Sequence, residues 1–195
     1  MSTPQPTIVT KRLRADAVRN RAKVLDAARA AFAERGAEAQ MEDVARRAGV
    51  GVGTVYRHFP TKHALGEALV EERFDGTIAF VRTLLDDEPD PWRALERCFE
   101  HCAATQANDR AWAAALASMA GGTIAGPREH QMRELLALED RLLARARAAG
   151  VVRDDLVVAD MPALFCALAS VVQAGVVDWR RYLELLLDGL RPLPR

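Results

Sequence analysis

Long apolar runs are missing from this chain. Its most hydrophobic stretch, Met161 to Val172, is 12 residues long and follows Asp160. A membrane span needs ~20 such residues, so this segment is expected to be a buried helix. Cysteine is scarce: Cys98, Cys102 and Cys166 make an odd count without framework spacing, which excludes a disulfide scaffold and predicts reduced thiols in a cytosol. No charged-then-apolar leader opens the sequence, so no signal peptide is expected and the location expected is cytoplasmic. No segment alternates with period two between turn signals, which leaves no strand, and neither an internal repeat nor a low-complexity tract occurs.

Net charge is absent too, with 27 Lys/Arg against 27 Asp/Glu, but the balance is uneven. Residues 1–62 hold 12 basic against 6 acidic side chains, and the remaining 133 hold 15 against 21. A basic front and an acidic back is the asymmetry of a protein that meets a polyanion at one end. Half of the 195 residues are hydrophobic, enough to bury a core without disulfides or metals.

What is present is helical periodicity. "MSTPQPTIVT" carries two prolines and little period, and reads as a flexible tail. From Asp16 the pattern turns helical, with Val18, Leu25, Ala28 and Phe32 on one face and Gly36 as the stop. Met41, Val44, Ala45 and Ala48 mark a short second helix, and Val55 and Phe59 a very short third. Pro60 closes the third, Thr61 can cap the fourth, and Leu65, Leu69, Phe74, Ile78, Val81 and Leu85 carry it. Asp90-Pro91 starts a fifth helix with Trp92, Leu95, Phe99 and Cys102 on one face. A sixth runs from "ND" to Gly121-Gly122, and a seventh from Gly126-Pro127 to Gly150. Met161–Val176 and Trp179–Leu187, the latter capped by Asp178, complete an all-α protein of about nine helices.

Between the second and third helices lies "AGVGVGTVYRHFPTK", 48–62, with glycines at 49, 51 and 53. A dinucleotide fingerprint needs a third glycine that is replaced here, since Thr54 and Tyr56 stand where it would fall. The Gly-Lys-Ser/Thr of the other phosphate loop is absent, and a helix rather than a strand comes first. The glycines therefore turn the chain. Gly49 falls where the second helix must end left-handed, and Gly51 at the cap of the third. Two short helices joined in this way make a helix-turn-helix. Thr54, Tyr56, Arg57 and His58 then face away from Val55 and Phe59, offering charge, hydrogen bonds and a stacking surface. Lys62 begins a helix, where a cation opposes the macrodipole unless an anion such as a DNA phosphate lies between.

Residues 16–70 resemble the DNA-binding domain of the TetR (tetracycline-repressor-like) family. The matching stretches are "VLDAARAAFAERGAEA" (24–39), "MEDVARRAGVGVGTVYRHFPTK" (41–62) and "HALGEAL" (63–69). The resemblance implies that the third helix enters the major groove while the second crosses the backbone. Thr54 and Tyr56 then match backbone or base contacts and Lys62 a phosphate contact, while Val52, Gly53, Arg57 and His58 stand where family members differ and read sequence. Gln40 joins these candidates where the family usually has Thr or Ser. Arg57 suits a guanine, whose O6 and N7 its fork can bridge, and Val52 a thymine methyl. Lys11, Arg12 and Arg14 form a candidate arm. The implied organisation is a basic arm over 1–15, a DNA-binding head over 16–61, a connecting helix over 62–85 and a ligand-binding and dimerisation domain over 86–195.

One reading head spans few base pairs, so a homodimer on a palindromic operator is expected. Leu164, Leu168, Val171, Val172, Leu183 and Leu186 are the candidate interface. By resemblance the middle helices enclose a pocket for a small-molecule effector, with Phe99, Cys102, Trp112, Met119, Leu135 and Phe165 as candidate lining. No cofactor, metal or membrane partner is expected, and no catalysis. The rival reading is an enzyme of the helical cavity or a thiol/metal sensor, built on Cys98, His101 and Cys102 at i, i+3 and i+4.

Overall fold

The computed structural model describes residues 8–108, 129–175 and 178–192, with side chains described from residue 16 onward except at 37 and 108. Among these residues are eight α-helices, two short 3-10 turns and no strand. The helices are α1 (Ile8–Arg35), α2 (Met41–Ala48), α3 (Val52–His58), α4 (Lys62–Asp87), α5 (Pro91–Asn108), α6 (Glu129–Ala148), α7 (Met161–Ala174) and α8 (Trp179–Gly189). The fold is all-α. The remaining helix expected from the sequence, between "ND" and Gly122, lies outside the described residues. No described helix is long and apolar enough to cross a membrane.

The chain forms two compact units that divide within α4, between Val70 and Glu71. In the first, Val24, Ala28 and Phe32 of α1 are buried with Val44 and Ala45 of α2, Val55 of α3, Phe59, and Leu65 and Leu69 of α4. Two expectations need correcting here. Helix α1 begins at Ile8, so residues 8–15 are helical and not a flexible arm; neither glycine nor proline interrupts 8–35. Val18 is 70% exposed, because the packed face of α1 starts later, at Val24.

The second unit has two apolar clusters. One gathers Ile78, Val81 and Leu84 of α4 with Ala94 and Cys98 of α5 and Leu135, Leu138 and Leu142 of α6. The other joins Leu95 and Phe99 of α5 to Leu143 of α6, Met161 and Leu168 of α7, and Leu183 and Leu187 of α8. Phe165 packs against both. Three helix ends are satisfied by side chains. Asp90 accepts from the backbone N–H groups of Trp92 and Arg93, and Asp178 from that of Arg180. The Arg145 guanidinium donates to the carbonyls of Leu85 (3.0 Å) and Glu88 (2.7 Å) at the end of α4, where a cation complements the helix dipole.

Candidate nucleic-acid interface

The turn between α2 and α3 is built as its sequence requires. Gly49 has φ +67°, a conformation that costs a residue with a side chain roughly 1–2 kcal/mol. There the Val50 N–H reaches the Ala45 carbonyl (3.1 Å) and the Gly49 N–H that of Arg46 (3.3 Å), the paired closure that satisfies the last carbonyls of a helix. Gly51 is extended and caps α3, its carbonyl accepting from Thr54 N–H at 2.8 Å. Phe59 follows in extended conformation, and the Thr61 hydroxyl accepts from Ala64 N–H at 3.0 Å to start α4.

Val55 is fully buried and anchors α3, which leaves Val52, Gly53, Tyr56 and Arg57 exposed and Thr54 and His58 half-buried. The cations around them differ in one respect that matters for binding an anion. On α2, Arg46 pairs with Asp43 and Arg47 with Glu34, and Asp43 also takes Arg35 at 2.8 Å. Asp43 further accepts from the Gln40 backbone N–H at 3.3 Å, closing the start of α2. These cations are neutralised within the head. Arg57 has no hydrogen bond or ion pair among the described residues, and it stands beside the exposed Tyr56.

Lys62 has a partner within the head. Its ammonium lies 5.7 Å from the centroid of the Phe32 ring, within reach of a cation–π attraction. The cation therefore has an internal partner against the opposing dipole and does not require a phosphate there. Gln40 is exposed, with its side-chain amide donating to the Glu38 carbonyl at 3.0 Å. The side chains of Lys11, Arg12 and Arg14 lie outside the described residues.

Residues 24–69 match the family described as bacterial regulatory proteins, tetR family, and residues 90–192 match the C-terminal domain of SbtR-like transcriptional regulators. A TetR transcription regulatory protein from Mycobacterium vanbaalenii is 38% identical with a TM-score of 0.68, over 92% of this chain and 99% of that one. The chain belongs to the TetR family. A TetR transcriptional regulator from Streptomyces coelicolor is 34% identical with a TM-score of 0.66, over 89% of this chain and 99% of that one. An HTH-type transcriptional regulator of Staphylococcus aureus (strain USA300) is 31% identical over 85 residues, 43% of this chain and 46% of that protein, so the match spans about half of that relative's length. As a TetR-family transcriptional regulator with a DNA-binding helix-turn-helix, the protein is not an enzyme.

The other expected residues divide by burial. Leu168 and Leu183 belong to the core of the single chain, where α7 and α8 pack on α5, and so offer no area to a second copy. Leu164, Val171, Val172 and Leu186 are half-exposed, and Leu185, absent from the expected interface, is 54% exposed. Phe99 and Leu135 are buried in separate clusters, Cys102 and Phe165 are half-buried, and Phe165 meets the Phe99 ring at 4.7 Å between centroids. Trp112 and Met119 lie outside the described residues.

Cys98 and Cys102 do meet, and the meeting disfavours thiolate chemistry. The hydrogen bond to Cys102, burial and the nearby Glu139 charge push the Cys98 thiol well above its ordinary value. His101 stacks on Phe80 at 3.9 Å, and burial together with Arg73 lowers its imidazole. With the Cys98 thiol favoured in its protonated form and the His101 ring stacked on Phe80, the arrangement does not favour a thiolate nucleophile.

Two polar groups escaped the sequence reading. Glu139 of α6 is only 3% exposed, and burial pushes its carboxyl up to about 7. Gln131, two turns earlier, buries its side-chain carbonyl oxygen without a hydrogen-bond partner among the described residues. Nothing in the sequence signals them, because the helix alternates leucines with many charged residues and a glutamine or glutamate on it reads as solvated.

Proposed function

We propose that the protein is a homodimeric, effector-responsive repressor of a two-fold operator, read chiefly by Arg57. The observation that carries this reading is Arg57, without a partner among the described residues, on the exposed face of an anchored α3, against the paired arginines of α2. Tyr56 and Thr54 fix register on the backbone, and Arg57 reads a guanine edge. Lys62, already compensated by Phe32, adds a weaker phosphate contact.

A dimer is supported by the apolar surface that α7 and α8 leave uncovered. Leu164, Tyr182, Leu185 and Leu186 line an open groove of about 770 Å³ together with the charged Arg153, Asp155 and Asp160, and the half-exposed Val171 and Val172 lie further along α7. A second copy would bury this surface on itself across a two-fold axis. The repressor reading adds that such a dimer, seated over a promoter, would exclude other proteins.

Coupling to an effector is supported by α4, one continuous helix that contributes to both compact units. A ligand in the second unit acts only if it binds one state of α4 better than another, and DNA then lowers ligand affinity by the same factor. The test is selection of bound duplexes from a random DNA pool. An enriched inverted repeat supports the reading; a pool that stays random contradicts it.

A further inference from the structure

Gln131, Leu135 and Glu139 recur at i, i+4 and i+8 and so form one stripe on α6, facing the cluster made with α4 and α5. Its two polar members are both acceptors, and neither meets a donor among the described residues. The Glu139 carboxylate has no hydrogen bond or ion pair among the described residues, although it is more than nine-tenths buried. The Gln131 side-chain N–H donates to Asp75 Oδ1 at 2.6 Å and to the Glu71 carbonyl at 3.3 Å, which leaves its own carbonyl oxygen orphaned. Flipping that amide would set its oxygen against the oxygens of Asp75 and Glu71, so the orientation is fixed and the orphaned atom is the acceptor.

A buried acceptor left unpaired is costly, and a buried carboxylate without a cation is more so. The charge environment does not relieve Glu139. Its field acts on Cys98, which holds a neutral thiol, and Arg82 is already paired with Glu134. Arg145 is committed to the end of α4. Asp75 adds a second carboxylate beside Gln131. The stripe is thus acceptor-rich and acidic, with Leu135 between its two polar ends. Eight residues of helix separate those ends by roughly 12 Å.

We infer that the Gln131–Leu135–Glu139 stripe is the polar wall of the effector site, and that it takes an amphipathic amine whose ammonium pairs with Glu139. An alkyl segment lies along Leu135, and a second donor on the ligand, where present, meets the Gln131 carbonyl. This rests on the effector-responsive reading above and narrows it: the ligand is a donor-bearing cation rather than a purely apolar molecule.

The test uses octylamine, octanediamine and octanoate with the full-length protein, by calorimetric titration, alongside release of the selected operator. Octylamine or octanediamine is expected to bind saturably and octanoate to bind far more weakly. Glu139→Gln, which keeps size and hydrogen-bonding atoms, should weaken amine binding by roughly 10- to 100-fold. Gln131→Leu should weaken octanediamine more than octylamine. Octanoate binding as well as the amines, amine affinity unchanged in Glu139→Gln, or no binding by either amine would each overturn the proposal. The two readings separate cleanly. Glu139-dependent amine binding without operator release removes the regulatory reading and keeps the site. Operator release by octanoate, indifferent to Glu139→Gln, does the reverse.

Discussion

Replacing Glu139 by glutamine should stabilise the ligand-free protein above neutral pH and leave it unchanged in acid. Burial raises this carboxyl in the folded chain from 4.5 to about 7. In the unfolded chain it ionises at its ordinary value, so the unfolded state sheds its proton first as pH rises. Folding stability is therefore lost between about pH 4.5 and pH 7, and the full penalty remains above that. A gap of this size corresponds to roughly 3 kcal/mol at about pH 8, and to almost nothing at about pH 4. Glutamine keeps the shape and never ionises; its amide is buried about as poorly as the protonated acid. The variant should gain roughly 5–10 °C in midpoint at about pH 8 for a chain of this length, shrinking toward zero in acid. Thermal unfolding followed by circular dichroism across that range, after refolding to strip bound metabolites, is the assay. A shift that is the same at all pH values, or a loss of stability at about pH 8, would mean that Glu139 is compensated within the fold and needs no cation from a ligand.

Other substitutions separate the remaining roles. Arg57→Ala should relax the selected operator at one position per half-site, whereas Lys62→Ala should weaken all duplexes alike and flatten the salt slope by about one per monomer at most; selection and salt titration read each. Leu186→Asp should give a folded monomer in sedimentation that no longer holds the operator, because a charge at a two-fold axis faces itself. Gly49→Ala should cost roughly 1–2 kcal/mol in denaturant unfolding, since the left-handed closure of α2 admits a side chain only with strain.

The DNA-binding head was legible because its signals are local. Gly49 and Gly51, Thr61 before α4, and the Val55 and Phe59 spacing each constrain backbone within a few residues, and the structure places Gly49 at φ +67° and Val55 at full burial. Lys62 was legible as a misplaced cation but not as a partner of Phe32, since that contact joins residues 30 positions apart. The same limit explains Leu168 and Leu183. Periodicity marks them as apolar-face residues, yet only packing against α5 decides that one chain, and not two, covers them. Glu139 was overlooked for a related reason: on sequence alone, a glutamate on a charged helix reads as solvated. Its burial follows from α4 and α5 closing over the stripe on which it sits.

Whether Arg57 reads bases is the central claim, and one titration addresses it directly. Fluorescence anisotropy would compare the selected operator with a scrambled duplex of equal length, for wild type and Arg57→Ala, at two salt concentrations. The account predicts that wild type prefers the operator by at least roughly 10³-fold, with both affinities falling as salt rises. It also predicts that Arg57→Ala loses about 1–3 kcal/mol of that preference per half-site while binding the scrambled duplex nearly as before. Equal affinity of wild type for both duplexes, or an undiminished preference in Arg57→Ala, would contradict it.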